Sequence, residues 1–235
     1  MPELYPPELI WPTRVTTLYF VMSAVIHECV RSRKPRGQGA SRRGEILAAA
    51  SRIFLEEGFA HATMRRIAAA VGVSTTALYV YFPDKYAILQ AIAEATFTEL
   101  LAVLEANQHS GAPVPERFRA GLRAYIDFGL SRPDAYRLTF LSSAASATRT
   151  ACKPCDTLKA IEAADHSFAI LQHGIDEMME AGLLRPGPSL PMAEAVWACL
   201  HGTTALLLDQ AKHVTTPPEC LIERVIDMIV AGLAN

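Results

Sequence analysis

The stretch "STTALYVYFPDK", Ser74–Lys85, decides how the rest of the chain is read. It holds three hydroxyl-bearing residues at its start, two tyrosines, a phenylalanine, and a single acid and base, Asp84 and Lys85. It looks too apolar to meet a polyanion and too polar to be buried throughout. A helix removes the conflict, because residues four apart share a face and those between them point elsewhere. Leu78, with Tyr81 and Phe82, then holds the segment to its neighbours, while Thr75, Thr76, Ala77 and Tyr79 stay outside. Pro83 and Asp84 stop that helix, and Asp84 caps the next one, which runs to about Ala106.

Upstream, "SRRGEILAAASRIFLEEG" (41–58) places Ile46, Leu47, Ala50, Ile53 and Phe54 at helical spacing and ends on Gly58. "TMRRIAAAVG" opens on Thr63, a good N-cap, and closes after two turns at Gly72. Ala68 is small where two helices must cross closely, and Gly72 can take the positive φ of a tight turn. Ile67, Val73, Leu78 and Tyr81 face the crossing. Two short helices three residues apart, preceded by a third, have the spacing of a helix-turn-helix. No segment alternates with period two, so the fold class expected is all-α: a three-helix helix-turn-helix domain followed by a helical bundle.

The formal net charge is −2, but it is unevenly spread. Val30–Lys85 carries ten basic and four acidic residues, so a basic module is joined to an acidic body. Field and counterion release act through the local patch, which points to a polyanion partner. Five cysteines, odd in number and scattered, make no disulfide framework. The uncharged run Val15–Ile26 is shorter than the roughly 20 residues of a membrane helix, so no membrane partner is expected and a cytoplasmic location is. Residues 1–40 read as an extension outside the fold, with the basic arm "RSRKPRGQGASRR" (31–43) leading from it into the first helix and Met22 an alternative start.

With these residues in place, "RRGEILAAASRIFLEEGFAHATMRRIAAAVGVSTTALYVYFPDKYAIL" (42–89) resembles the DNA-binding domain of TetR/AcrR transcriptional regulators. The resemblance implies that Thr63 and Arg65 meet phosphate, that Ser74, Thr75, Thr76 and Ala77 face base edges, that Tyr79 and Tyr81 lie beside the DNA backbone, and that Lys85 sits on phosphate. Arg42 and Arg43 add charge from outside. The recognition helix has no Arg, Asn or Gln, so bidentate base readout is poor and specificity must lean on methyl contacts, water or DNA shape. Domain limits of 41–88 for DNA binding and 89–235 for effector binding and dimerisation follow.

In the second half, "RPDAYRLTF" (132–140) with Trp197, His201 and Gly202 is similar to the WHG-type C-terminal domain of some TetR regulators. Tyr136, Phe140, Trp197 and His201 are candidates to line a mostly apolar effector pocket. They read equally as three ordinary core aromatics and a satisfied buried histidine. The last two helices imply a homodimer, and with it a pseudo-palindromic double-stranded DNA operator. "CKPC", Cys152 and Cys155, raises the alternative of a thiol or metal sensor, though no second pair completes a zinc site. Glu162, His166, His173 and Glu177 share a helical face that reads most simply as solvated. No nucleophile elbow, phosphate-binding loop or dinucleotide fingerprint is present, and neither an enzyme nor a cofactor is expected. The function expected is a repressor released from its operator by a small hydrophobic effector.

Overall fold

Helix ends are fixed by local chemistry, and the N-terminal half is punctuated by it. The computed structural model describes residues 39–141 and 158–234. Helix α1 (Gly39–Glu56) is followed by Gly58 at φ +82°. Helix α2 (Met64–Val71) begins where the Thr63 hydroxyl accepts the Arg66 N–H at 3.2 Å. It ends at Gly72 with φ +71°, and the Val73 and Gly72 N–H groups close on the carbonyls of Ala68 and Ala69 at 3.0 and 3.2 Å. Nothing lies within 4 Å of where a Cβ would stand on Gly72, so backbone conformation, not space, requires glycine. Helix α3 (Thr75–Tyr81) is capped by Ser74, which accepts the Ala77 N–H at 3.1 Å. Helix α4 (Lys85–Gln108) is capped by Asp84, which accepts the Ala87 N–H at 2.8 Å.

Helix α5 (Val114–Ser131) breaks at Arg132 and Pro133 into the short α6 (Pro133–Tyr136) and a π-helical turn, Arg137–Leu141. After the undescribed 142–157 come α7 (Leu158–Glu180), α8 (Ser189–Asp209), a 3₁₀ turn (Ala211–His213) and α9 (Pro218–Leu233). No strand occurs among the described residues; Leu184 and Ala234 form one isolated antiparallel bridge. The basic arm before Gly39 and the pair Cys152 and Cys155 lie outside the described residues.

Two apolar clusters form. The first joins Ile46, Ile53 and Phe54 of α1 to Ile67, Leu78 and Phe82, and to Ile88, Leu89 and Ile92 of α4. The second joins Leu100 and Leu104 of α4 to Leu122, Ile126, Ile175, Leu200, Ile222 and Ile226. Helix α4 therefore serves both cores, and the expected 88/89 boundary falls inside it. By length and composition α4 could cross a membrane, but it is instead packed against α5 and α7. Each fully buried Leu or Ile contributes about 1.5 to 3 kcal/mol. Helix α9 is strapped to α5 by charge: Arg123 reaches Glu219 and Glu223 at 2.6 and 2.9 Å, and Arg119 reaches Asp227 at 2.6 Å.

Candidate nucleic-acid interface and aromatic cluster

In α3, Leu78 is fully buried against α1 and α2, and Phe82, just past the helix end, is buried with it. Tyr81 packs partly on the same core. Ser74, Thr76, Tyr79 and Val80 are exposed, Thr75 and Ala77 half so. Capping engages Thr63 and Ser74 as acceptors and leaves each hydroxyl its O–H to donate outward. Arg65 is exposed and has no acidic partner among the described residues. Arg42 pairs with Glu45 at 2.6 Å, and the Arg43 guanidinium lies 4.4 Å over the Phe82 ring.

Lys85 is bound within the protein. Its ammonium donates to the carbonyls of Phe59, Ala60 and Ala62 at 2.8, 3.0 and 3.1 Å, and sits 4.7 Å from the Phe59 ring centre. An ammonium has three N–H donors, and here all three are taken by the α1–α2 loop. Lys85 ties that loop to the root of α4, leaving no donor for a phosphate.

The four C-terminal candidates come together. The Tyr136 hydroxyl lies 2.7 Å from His201 Nδ1. The Tyr136 ring centre is 4.6 Å from Phe140, and Trp197 is 5.7 Å from His201. Tyr125, Phe168 and Phe97 belong to the same cluster and were not singled out from the sequence. Tyr125 is central: the Trp197 indole N–H donates to its hydroxyl at 3.2 Å, and that hydroxyl is 3.1 Å from Tyr136. An indole can only donate, so with His201 protonated on Nε2 one run of donors, Trp197 to Tyr125 to Tyr136 to His201 Nδ1, gives the indole N–H and both phenol O–H groups an acceptor. Burial raises the pKa of both phenols above the ordinary tyrosine value and lowers that of His201, which keeps the chain of hydroxyls neutral.

Close backbone approach makes room for this chain. A Cβ on Gly129 would stand 2.4 Å from Thr204 Cγ2 and 3.0 Å from the Tyr136 ring. Trp197 is 41% exposed, so it forms the outer wall and not ordinary core. Cavities of about 150 Å³ (Ser51, Ile92, Thr96, Phe128, Arg132) and about 360 Å³ (Glu45, Ala48, Arg52, Ala70) lie elsewhere; none of the four candidates lines either. His166 and His173 are exposed, Glu177 is paired with Arg117 at 2.7 Å, and no metal-holding group of His, Cys, Asp or Glu occurs among the described residues.

A capped helix-turn-helix on an all-helical bundle defines a DNA-binding regulator. Residues 46–92 match the family model for bacterial regulatory proteins of the TetR family, and residues 118–229 match a tetracyclin repressor-like C-terminal domain. The chain belongs to the TetR family of transcriptional regulators. It is 32% identical over 109 residues to the HTH-type transcriptional activator FasR of Mycolicibacterium smegmatis, covering 46% of this chain and 48% of that one. It is 41% identical over 64 residues to an HTH-type transcriptional repressor of Mycobacterium tuberculosis, covering 27% and 34%. The chain thus spans about half, or less, of the length of these curated relatives. A TetR-family regulatory protein from Rhodococcus RHA1 shares the fold, with a TM-score of 0.70 at 19% identity over 82% of this chain and 97% of that one.

Proposed function

We propose that the chain is a homodimeric, ligand-responsive repressor, released from a pseudo-palindromic operator by a hydrophobic effector that binds at Tyr136, Phe140, Trp197 and His201. DNA binding is assigned to residues 41–88 through Arg42, Arg43, Thr63, Arg65, Ser74, Thr75, Thr76, Ala77, Tyr79 and Tyr81. Lys85 is set aside because its donors are spent. Effector binding and dimerisation are assigned to residues 89–235.

The observation that carries this reading is the segment 133–141. Tyr136 belongs to the second core and is bonded to His201, Leu138 is buried in the helix-turn-helix core, and Phe140 packs again on the second. The chain crosses from one core to the other and back within five residues, in a π-helical turn, a geometry common at functional sites. An effector that moves Trp197 aside and perturbs the Tyr136–His201 bond shifts Leu138, and with it the recognition helix. DNA and effector then oppose one another reciprocally. Dimerisation through α8 and α9 accords with their exposed Leu190, Leu206 and Met228.

The test is operator release. Duplexes selected by the chain from a random library are labelled, and hydrophobic ligands that raise its melting temperature are titrated against the complex. Trp197→Ala and His201→Ala should bind the operator as the parent does but need at least tenfold more ligand for release. Unchanged release by folded variants, or sedimentation as a monomer at micromolar concentration, refutes the assignment. A reporter gene under the operator gives the sign, since FasR is an activator.

A further inference from the structure

Val80 is 76% exposed on α3, the most exposed of the chain's large apolar residues described. With Thr76 it occupies the face opposite the anchoring Leu78: each is two residues, about 200°, from Leu78, and the two are one turn apart. Folding gives no reason for a valine there. A β-branched residue is a poorer helix former than alanine, and this one buries almost nothing. Its neighbours extend the same apolar surface, with Tyr79 52% exposed on one side and Ala77 on the other. The face offers no amide, guanidinium or ammonium along Thr75–Tyr81, so it cannot make the paired hydrogen bonds that read guanine or adenine. What it offers is methyl groups, and one base edge in the major groove carries a matching group, the C5-methyl of thymine.

We propose that Val80, with Thr76 beside it, is a specificity-determining residue that selects a thymine in each operator half-site through its C5-methyl. The inference rests on α3 being the DNA-reading helix and adds a base identity to it. Val80 adds nothing to the affinity for phosphate, so its contribution is confined to one base-pair position.

The experiment is a thymine-by-thymine replacement with deoxyuridine, which removes only the methyl group, in duplexes selected by the full-length chain. One thymine per half-site should lose about fourfold in affinity when replaced, the scale of one buried methyl group. In Val80→Ala the same replacement should cost clearly less than about fourfold, because both Val80 methyls are gone and only that of Thr76 remains, while binding to the selected duplex falls by about that factor for each half-site. Val80→Thr, which keeps one methyl, should lie between. A penalty that persists undiminished in Val80→Ala, or no methyl-dependent thymine at all, overturns the inference while leaving DNA binding intact. Failure of the parent chain to select any duplex overturns both. Melting temperatures within a degree or so of the parent identify the variants as folded, as expected for a site this exposed.

Discussion

The two cores of this chain treat polar groups in opposite ways. The core around α1–α3 holds no row of bonded polar side chains, and the hydroxyls of Thr63 and Ser74 are at helix starts, where they close a turn and face outward. The core of the second half contains a row of bonded polar side chains, Tyr125, Tyr136 and His201, closed by the indole of Trp197. An apolar core has no alternative arrangement of comparable energy, whereas a hydrogen-bonded row can exchange partners with an incoming group. The first is suited to present a fixed surface and the second to respond. The junction carries the marks of both: Thr139 in the π-helical turn and Gln90 on α4 each hold a buried polar atom without a partner among the described residues.

Leu138 is the sharpest place to break this contrast, being the residue of the π-helical turn set in the apolar core. Leu138→Ala should cost about 2 to 5 kcal/mol by urea unfolding and weaken the response to effector more than operator binding itself. Gly129→Ala should cost about 1 to 3 kcal/mol, because the added Cβ overlaps Thr204 and crowds Tyr136. If Gly129→Ala left stability unchanged, the row would be looser than its distances imply. Tyr136→Phe removes the middle hydroxyl and strands its neighbours, at about 1 to 3 kcal/mol. Gly72→Ala, which forces a left-handed residue at the turn, should cost about 1 to 2 kcal/mol.

The smallest effect is that of pH. Burial lowers the His201 pKa, so as pH falls the unfolded chain takes up this proton before the folded one does. The His201 contribution is therefore complete above the ordinary histidine value of about 6.5 and declines as pH drops through that value toward the folded pKa. Urea midpoints of the parent and His201→Gln, compared across that window, should show the flatter profile in the variant. An equal slope would place the titration elsewhere.

What could be read in advance follows the same division. Caps and left-handed glycines act within four residues, so Thr63, Gly72 and Asp84 could be placed from the chain alone, and the structure finds each at a helix end; Ser74, expected to face base edges, also caps α3. Tyr136, Phe140, Trp197 and His201 were named together, and they meet. Tyr125 was passed over because its helical spacing within "AYIDF" matches any core aromatic; only its contact with Trp197, 72 residues away, sets it apart. The π-helical turn has no sequence signature, and nothing local in the chain tells that Trp197, one of the candidate core aromatics, faces partly outward. The second role of Lys85 was not legible: a lysine beside a DNA-binding helix is expected to find a phosphate, and nothing local reveals that three carbonyls 23 to 26 residues upstream converge on it.

That convergence bears on which residues can occupy position 85. Three carbonyl oxygens within four residues of loop surround one nitrogen, a shape that suits a compact, rotatable ammonium. Arginine keeps the charge but spreads its donors across a flat fork that cannot point at one centre. A residue meeting phosphate would tolerate that exchange, or gain by it. Here Lys85→Arg should loosen the α1–α2 loop, because three convergent carbonyls need the shape of the ammonium as well as its charge.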